Sequence, residues 1–267
     1  MDQFQLVREH LGANAEAVLA QSQPSVRLTV TGPVDPDSTG SRFGGHALLP
    51  PGMSWPHRDG QPLSFLGQIR MDEVGRPGIG LLAFFYDLEE QPWGYDPAHA
   101  GGCRVVAVDP GSAVAAPAPA GAEEFAPHGL APAAGTTLPD LSEPVVAHLF
   151  EPDWDVAREY WEAVDEASSG DPVHRMFGWP DLIQNPMQLE CQLASNGIYV
   201  GRPDGYRDPR VADLRGGAAD WRLLLQIDSD DGVGWMWGDV GRIYYWIREE
   251  DLNAGRFDRV WLVLQCG

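Results

Sequence analysis

The sequence contains no lysine: its 18 basic residues are all arginine, against 39 Asp and Glu, for a net charge of −21. This absence excludes a pyridoxal-phosphate (PLP) or other Schiff-base lysine, a phosphate-loop lysine and a lysine general base. Nucleic-acid phosphates need a clustered basic face, so we expect no nucleic-acid partner. A macromolecular partner is expected to be basic. The base composition of a GC-rich genome is an equally simple explanation for the loss of lysine.

Cysteine is also scarce. Cys103, Cys191 and Cys266 are odd in number and far apart in the sequence, with no CxxC pair. The spacing argues against a disulfide framework, a structural zinc site and an Fe-S cluster, and it favours reduced thiols in a cytoplasmic protein.

Long hydrophobic runs are missing as well. The N-terminal stretch lacks the basic region and apolar core of a signal peptide, and no window approaches about 18 consecutive apolar residues. We therefore expect no membrane partner and a cytoplasmic location.

What the chain does have is aromatic residues: 10 Trp, 9 Phe and 7 Tyr in 267 residues, enough for a substantial core. Residues 2–21 have the spacing of an amphipathic helix, with Asp2 and Gln5 as a capping box. Residues 26–30 alternate like a strand, and residues 31–45 have the composition of a surface loop.

Residues 43–86 resemble residues 177–247 in order and chemistry. Each segment has a Phe-Gly turn, an apolar strand ending in Gln-Ile, an acidic turn and a Gly-led aromatic strand. The strands are nearly continuous apolar runs, which is typical of strands covered on both faces. The predicted fold is α+β and predominantly β: two pseudo-repeated antiparallel β units packed together as facing layers, with N-terminal and central covering helices.

One domain is expected over residues 1–267, with halves at about 22–108 and 141–267. The connecting region, 109–140, is rich in Ala, Pro and Gly and is predicted to be mostly loop. After it, residues 145–150 are typical of a strand and residues 152–168 of an amphipathic covering helix.

The combined motifs resemble the YwqG-like family over most of the chain. They are LLPPGMSWP (48–56), PLSFLGQIRMDE (62–73), GLLAFFYD (80–87), HRMFGWPDLIQNPM (174–187), and LLLQIDSD with MWGDVGRIYYWIREEDL (223–252). The resemblance implies a mainly β, internally pseudosymmetric fold in a bacterial cytoplasm, with no agreed catalytic residues. Some members are associated with polymorphic-toxin loci, which implies an immunity or interaction role. The Ala- and Pro-rich insert near 109–135 departs from the family pattern.

An acidic turn is the strongest candidate metal site. Asp228, Asp230 and Asp239 lie around a Gly-containing turn, where oxygen ligands suit Ca²⁺ or Mg²⁺. The EF-hand pattern is incomplete, because Val233 takes the position of its glycine. A solvated acidic hairpin is the competing interpretation.

His174 is the candidate catalytic residue, as a general base. Capping, or packing against Trp179, is the competing structural role. His46 lies near the matching turn of the first segment, and convergence of the two histidines on one metal is a further possibility.

Ligand-binding candidates are the tryptophans of the family-like segments, with an arginine as a carboxylate clamp. They are Trp55, Trp179, Trp235, Trp237 and Trp246, with Arg42 or Arg242. All of the tryptophans could equally belong to the core. Gln68 and Gln226 recur at matching positions, and structural bridging between strands is the expected role for both.

Two functions stay open. The first is a binding or immunity-type protein with a basic protein partner or toxin. The second is an enzyme or a small-ligand-binding protein with an aromatic-lined site between the halves, using His174 and a cation at the acidic turn. Common motifs such as HExxH, GxSxG and GxGxxG are absent from the sequence, which disfavours the familiar hydrolases and nucleotide-dependent enzymes.

Overall fold

The computed structural model describes residues 2–151 and 154–267. Its helices, in chain order, are α1 (Gln3–His10), α2 (Ala15–Leu19), α3 (Pro144–Ala147), α4 (Asp155–Ala167), α5 (Gln188–Ala194), α6 (Val211–Leu214) and α7 (Glu249–Asn253). Its strands are β1 (Gln23–Pro33), β2 (Arg42–Phe43), β3 (Ala47–Leu49), β4 (His57–Arg58), β5 (Gln61–Pro62), β6 (Ser64–Arg70), β7 (Leu81–Tyr86), β8 (Cys103–Val108), β9 (Val114–Ala116), β10 (His128–Thr137), β11 (His174–Met176), β12 (Trp221–Asp228), β13 (Arg242–Arg248) and β14 (Trp261–Gln265).

The predicted N-terminal helix is two helices. Asp2 and Gln5 form the expected capping box at the start of α1. The chain turns at Gly12, where φ is +48°, and α2 follows. A residue in this left-handed region ends a helix, which is why the amphipathic pattern is interrupted there.

Most of the strands form one ten-stranded antiparallel sheet in the order β14-β13-β12-β11-β1-β10-β2-β6-β7-β8 within the described residues. The fold is thus predominantly β with several helices, as predicted. The two facing layers expected from the sequence are instead parts of this continuous sheet. The long pairing of β1 with β10, from Gln23↔Thr137 onward, joins them.

The sheet curls until it is nearly closed into a barrel. The segment after β7 approaches the opposite edge, where the Leu264 N–H donates to the Trp93 carbonyl at 3.1 Å. The Tyr245 hydroxyl donates to the Phe85 carbonyl, also at 3.1 Å, across the interior. Leu66 and Leu225 lie in the same buried cluster, so both ends of the sheet contribute to one core.

Apolar clusters cover the sheet on both faces, as the continuous apolar runs predict. In β7, Phe84 lies in the interior cluster while Phe85 packs outside with β3. In β13, Tyr245 faces the interior while Trp246 packs outside against α5 and α6.

The strand predicted at residues 145–150 is wrong, since Pro144–Ala147 is helical. Val145 and Val146 are β-branched and favour strands, but Pro144 occupies the first helical turn, where its fixed φ suits a helix. The helix predicted at 152–168 is confirmed as Asp155–Ala167, and positions 152 and 153 lie outside the described residues. It packs with α1, and the Gln3 side-chain amide donates to the Tyr160 hydroxyl at 3.2 Å.

The prediction of mostly loop over residues 109–140 misses two strands, although the rest of the segment is neither helix nor strand. The segment contains β9 and the ten-residue β10, which lies near the middle of the sheet. Pro132 lies within β10, whose pairing with β2 covers only His128 and Gly129. A proline is tolerated where a strand lacks a ladder partner on one side.

None of the helices in residues 2–151 and 154–267 is long and apolar enough to cross a membrane.

Candidate functional site

A cavity of about 830 Å³ lies on the outer side of the sheet, beside β12 and β13. Its other walls come from α3, from the start of α5, from residues 215–219 and from the turn that follows β11. Cavities of about 300–1,000 Å³ are typical of small-molecule sites. From the predicted first half, residues 22–108, only Gln23 is among the described lining residues, so the cavity lies beside the second half and the start of β1 rather than between the halves.

Trp179 forms one wall and is held at three points. Its backbone N–H donates to the Thr137 hydroxyl at 2.7 Å, and its indole N–H donates to the Gln21 carbonyl at 2.7 Å. Its carbonyl accepts from Arg175 at 3.0 Å. A side chain fixed at its backbone and at its ring is a rigid surface for a ligand to pack against.

Gly178 sets the direction in which Trp179 leaves the turn. Its φ is +72°, and a Cβ there would lie 2.4 Å from the Thr137 hydroxyl oxygen. Only glycine fits both the conformation and the space.

Trp221 and Trp246 form a second wall and are both buried. The Trp221 indole N–H donates to the Gln192 side-chain carbonyl at 2.9 Å, and Arg248 stacks 5.0 Å from the Trp221 ring centroid. The Trp246 indole N–H is buried and has no hydrogen-bond partner within residues 2–151 and 154–267.

Glu143 contributes a buried carboxyl group to the cavity wall and is 1% exposed. It immediately precedes α3, and its Oε2 accepts from the Gln188 side-chain amide at 2.9 Å. Burial raises the pKa of Glu143 to about 8; the charge of Asp140 also raises it, and the Gln188 hydrogen bond opposes the rise. Glu143 is therefore mostly protonated at neutral pH and can donate a hydrogen bond.

Two oxygens of this pair lack partners. Glu143 Oε1 and Gln188 Oε1 are both shielded from water and accept no hydrogen bond from the described part of the chain. A buried polar atom without a partner costs about 1–3 kcal/mol, so such atoms are uncommon and call for an explanation. With the Trp246 N–H, three such groups belong to residues of one cavity.

Arginines lie among the lining residues of the cavity. The side chain of Arg222 pairs with Glu249 at 2.8 Å. Arg215 is exposed and forms no ion pair within the described ranges.

His174, the predicted general base, is buried within the sheet, and both ring nitrogens are in use. Nδ1 accepts from the Asp228 backbone N–H at 3.2 Å, so Nε2 carries the proton and donates to Asp230 Oδ2 at 3.2 Å. Burial lowers the pKa of His174 despite the neighbouring Asp230. The ring packs edge-on against Phe43 at 5.0 Å rather than against Trp179. A catalytic role for His174 stays a prediction.

The predicted cation ligands lie in the loop between β12 and β13, but not as one set of free carboxylates. Asp228 is buried; it pairs with Arg242 at 2.9 Å and accepts from the Val173 N–H at 2.9 Å. Asp230 accepts from the Gly232 N–H at 2.8 Å, while Asp239 is exposed. In residues 2–151 and 154–267, no group of three or more His, Cys, Asp and Glu side chains is placed to hold a metal ion. A Ca²⁺ or Mg²⁺ ion at this turn stays a prediction.

Of the seven predicted ligand-binding residues, Trp179 and Trp246 line the cavity and the other five lie elsewhere. Trp237 is in the core, where its indole N–H donates to the Asp228 carbonyl at 3.0 Å. Trp55 packs edge-on against Phe85 at 5.3 Å, and Arg242 donates to the Asp181 carbonyl at 3.1 Å.

His46 and His174, which were predicted as a possible pair of ligands to one metal, contact different carboxylates. His46 Nδ1 lies 2.8 Å from Asp37, whereas His174 pairs with Asp230.

Sequence reasoning missed Glu143, Gln188 and Trp221. Trp221 could have been found in the same way as Trp246, which was chosen as a candidate because tryptophans can line a ligand site. Nothing in the sequence marks Glu143, because its burial and its contact with Gln188 arise only in the folded chain.

Among curated proteins, none matches the chain. The family described as "Domain of unknown function (DUF1963)" matches residues 41–266, which is most of the chain. The sequence therefore belongs to the DUF1963 family.

Proposed function

We propose that this protein binds a small molecule in the cavity beside β12 and β13. The observation that carries the proposal is the combination of a ligand-sized volume, three tryptophans in its walls and a buried, neutral carboxyl group. A mostly apolar cavity with a few convergent polar groups and a carboxyl of perturbed pKa is the usual composition of a ligand site.

A fragment screen by thermal shift tests the proposal, with one variant that fills the cavity. Ala219 lines the cavity and is exposed, so Ala219→Trp should occupy the space without disturbing the core. Ala212→Trp is the matched control, because Ala212 is also exposed but does not line the cavity. A ligand at a hundred times its Kd should add about 2.7 kcal/mol of stability to the wild type and the control. Hits that shift all three proteins equally, or a diverse library without hits, would overturn the proposal.

A second candidate, binding of a basic protein partner or toxin, is supported by the loop over residues 229–241. Met236 is 47% exposed and Val240 is 66% exposed, beside the exposed carboxylates of Asp231 and Asp239. An apolar pair within an acidic rim suits a basic surface with an apolar centre. Crosslinking in the native host should recover a partner with the wild type and lose it with Met236→Asp/Val240→Asp. Equal recovery by both proteins would exclude this loop.

We also propose that the two halves are copies of one β unit, as in the YwqG-like family. Two matching registers support this, Arg42↔Gln68 and Arg175↔Gln226. The hydrogen bonds match as well: Gln68 donates to the carbonyl of residue 40 at 3.0 Å, and Gln226 to the carbonyl of residue 173 at 2.8 Å. Each accepting residue lies two positions before the arginine of its own half.

A further inference from the structure

The walls of the cavity restrict the shape of its ligand. Trp179 supplies a partly exposed aromatic surface, the buried Trp221 and Trp246 border the cavity, and the segment 215–219 adds the small residues Gly216 and Ala218. Indole rings and small side chains together suit a planar ring system, because flat groups stack on aromatic surfaces with little loss of contact area.

The polar groups restrict the chemistry of the ligand further. Glu143 Oε2 already accepts the Gln188 N–H, so the proton of the neutral carboxyl is placed on Oε1. The carboxyl therefore offers an O–H donor without a protein partner in the described chain, and the neighbouring Gln188 Oε1 offers an acceptor that also lacks one. The donor and the acceptor belong to two side chains that are hydrogen-bonded to each other, so together they match a group that presents the reverse pair.

We propose, building on the proposed function, that the ligand is an uncharged planar cyclic amide. Its carbonyl oxygen accepts from Glu143 Oε1, and its ring N–H donates to Gln188 Oε1. The two contacts satisfy the two unpartnered oxygens together, and neither requires a charge on the ligand.

Access requires both side-chain ends to rotate, because both oxygens are shielded from water. The terminal torsions of Glu and Gln are broad and roughly two-fold, so the torsions themselves allow each group to turn toward the cavity. The main contact at risk is the hydrogen bond between the two side chains.

Charge around the site also favours a neutral ligand. With a pKa of about 8, Glu143 carries little charge at neutral pH and does not attract a cation. The other charged groups around it are Asp140 on its own segment and Arg215 and Arg222 in the wall from residues 215–222. Arg222 is neutralised by Glu249, and Arg215 is exposed and screened by solvent.

Four probes on one scaffold test the assignment, with affinity measured by calorimetry at pH 7. They are 2-quinolone, which has the amide edge; N-methyl-2-quinolone, which lacks the N–H; quinoline-2-carboxylate, an anion; and N-methylquinolinium, a cation. We expect 2-quinolone to bind at least about tenfold more tightly than each of the others, which is the effect of one well-placed hydrogen bond. This comparison uses the wild-type protein and does not depend on the folding of a variant.

Variants at Glu143 provide the second arm. An amide also has a donor and an acceptor, so Glu143→Gln should keep 2-quinolone affinity within about threefold, whereas Glu143→Leu should lose about tenfold or more. Wild-type affinity should fall about tenfold from pH 7 to pH 9 as the carboxyl ionises, and Glu143→Gln should not change over that range.

Three outcomes would overturn the ligand class. Tightest binding of the quinolinium, strengthening as pH rises, would identify a cation site. Tightest binding of the carboxylate, lost in Arg215→Ala, would identify an anion site. No binding by any of the four probes would reject the cyclic amide, while the proposed function would still be decided separately by the Ala219→Trp fragment screen.

Discussion

The side-chain amide of Gln188 donates to the Glu143 carboxyl at 2.9 Å and leaves the second oxygen of that carboxyl without a partner. Glu143 is 1% exposed, so the bond forms away from water. A single neutral donor does not balance the cost of burying a carboxylate, and the group keeps its proton instead. Stability and ligand binding should therefore both depend on this one proton.

Glu143→Gln should remove a pH dependence of stability. The pKa of Glu143 rises from 4.5 to about 8 on folding, so the folded protein holds a proton that the unfolded chain releases. Wild-type stability should consequently fall as pH rises from about 4.5 to about 8, by roughly 3–5 kcal/mol from this group. Urea unfolding at pH 5 and pH 8.5 measures this effect. Between these two pH values, the free energy of unfolding of Glu143→Gln should rise by that amount relative to that of the wild type. The exposed Glu159→Gln is the control, and an equal change in both variants would contradict the assignment.

His174→Gln should show the opposite pH dependence. Burial lowers the pKa of His174. The folded protein therefore binds a proton at this imidazole less readily than the unfolded chain, which takes one up near pH 6.5. Wild-type stability from this group is therefore lost as pH falls below about 6.5. The variant should be less stable than the wild type at pH 7.5, because it loses the contacts to Asp228 and Asp230, and this difference should narrow at pH 5. The exposed His57→Gln is the control; a difference that is constant with pH would argue against a buried neutral imidazole.

Gly178→Ala should destabilise the protein by more than the positive φ of Gly178 alone explains. Strain in the left-handed region costs about 1–2 kcal/mol, and loss of the Thr137 hydroxyl from the Trp179 N–H adds about 1 kcal/mol. Gly170→Ala isolates the strain, since Gly170 has φ +71° and nothing lies within 4 Å of the added methyl. Guanidinium unfolding should find Gly178→Ala the less stable of the two by at least about 1 kcal/mol. Equal stabilities would mean that the turn adapts to the methyl group.

Gln226→Leu should cost more than Gln68→Leu, although both residues are fully buried. Both ends of the Gln226 amide are bonded: Oε1 accepts from the Asp181 N–H at 2.9 Å, and Nε2 donates to the Val173 carbonyl. In Gln68 only the N–H₂ end is bonded, and Oε1 has no partner in the described chain. Removing Gln68 therefore also removes an unsatisfied oxygen. The two variants should differ by about 1–2 kcal/mol in chemical denaturation, and the reverse order would contradict the observed bonding.

The apolar strands could be predicted from the sequence because their side chains pack on both faces. Residues of β6, β7, β12, β13 and β14 carry that pattern directly. β10 could not be predicted, because its Ala, Gly and Pro residues have weak strand preference. Its strand conformation comes from pairing with β1, which is 108 residues away in the sequence at Val26↔Ala134.

The cavity could be predicted only in part. Trp179 and Trp246 belong to an aromatic set that the sequence makes visible, whereas Glu143 follows the Ala- and Pro-rich segment and carries no pattern. Its chemistry arises when the folded chain buries the carboxyl beside Gln188, the first residue of α5. Sequence alone likewise could not distinguish His174 as a cleft residue from His174 as a packed one, because Phe43 and Asp230 reach it from distant segments.

The family match begins at residue 41, yet β1 lies between β11 and β10 in the sheet. A protein made of the matched span alone would lack β1, the strand that joins the two flanks of the sheet, and the Gln21 carbonyl that accepts from the Trp179 indole N–H. We therefore expect that the family-matched span does not fold as a unit by itself. A shortened protein starting at residue 41 should expose the edges of β10 and β11 and associate through them.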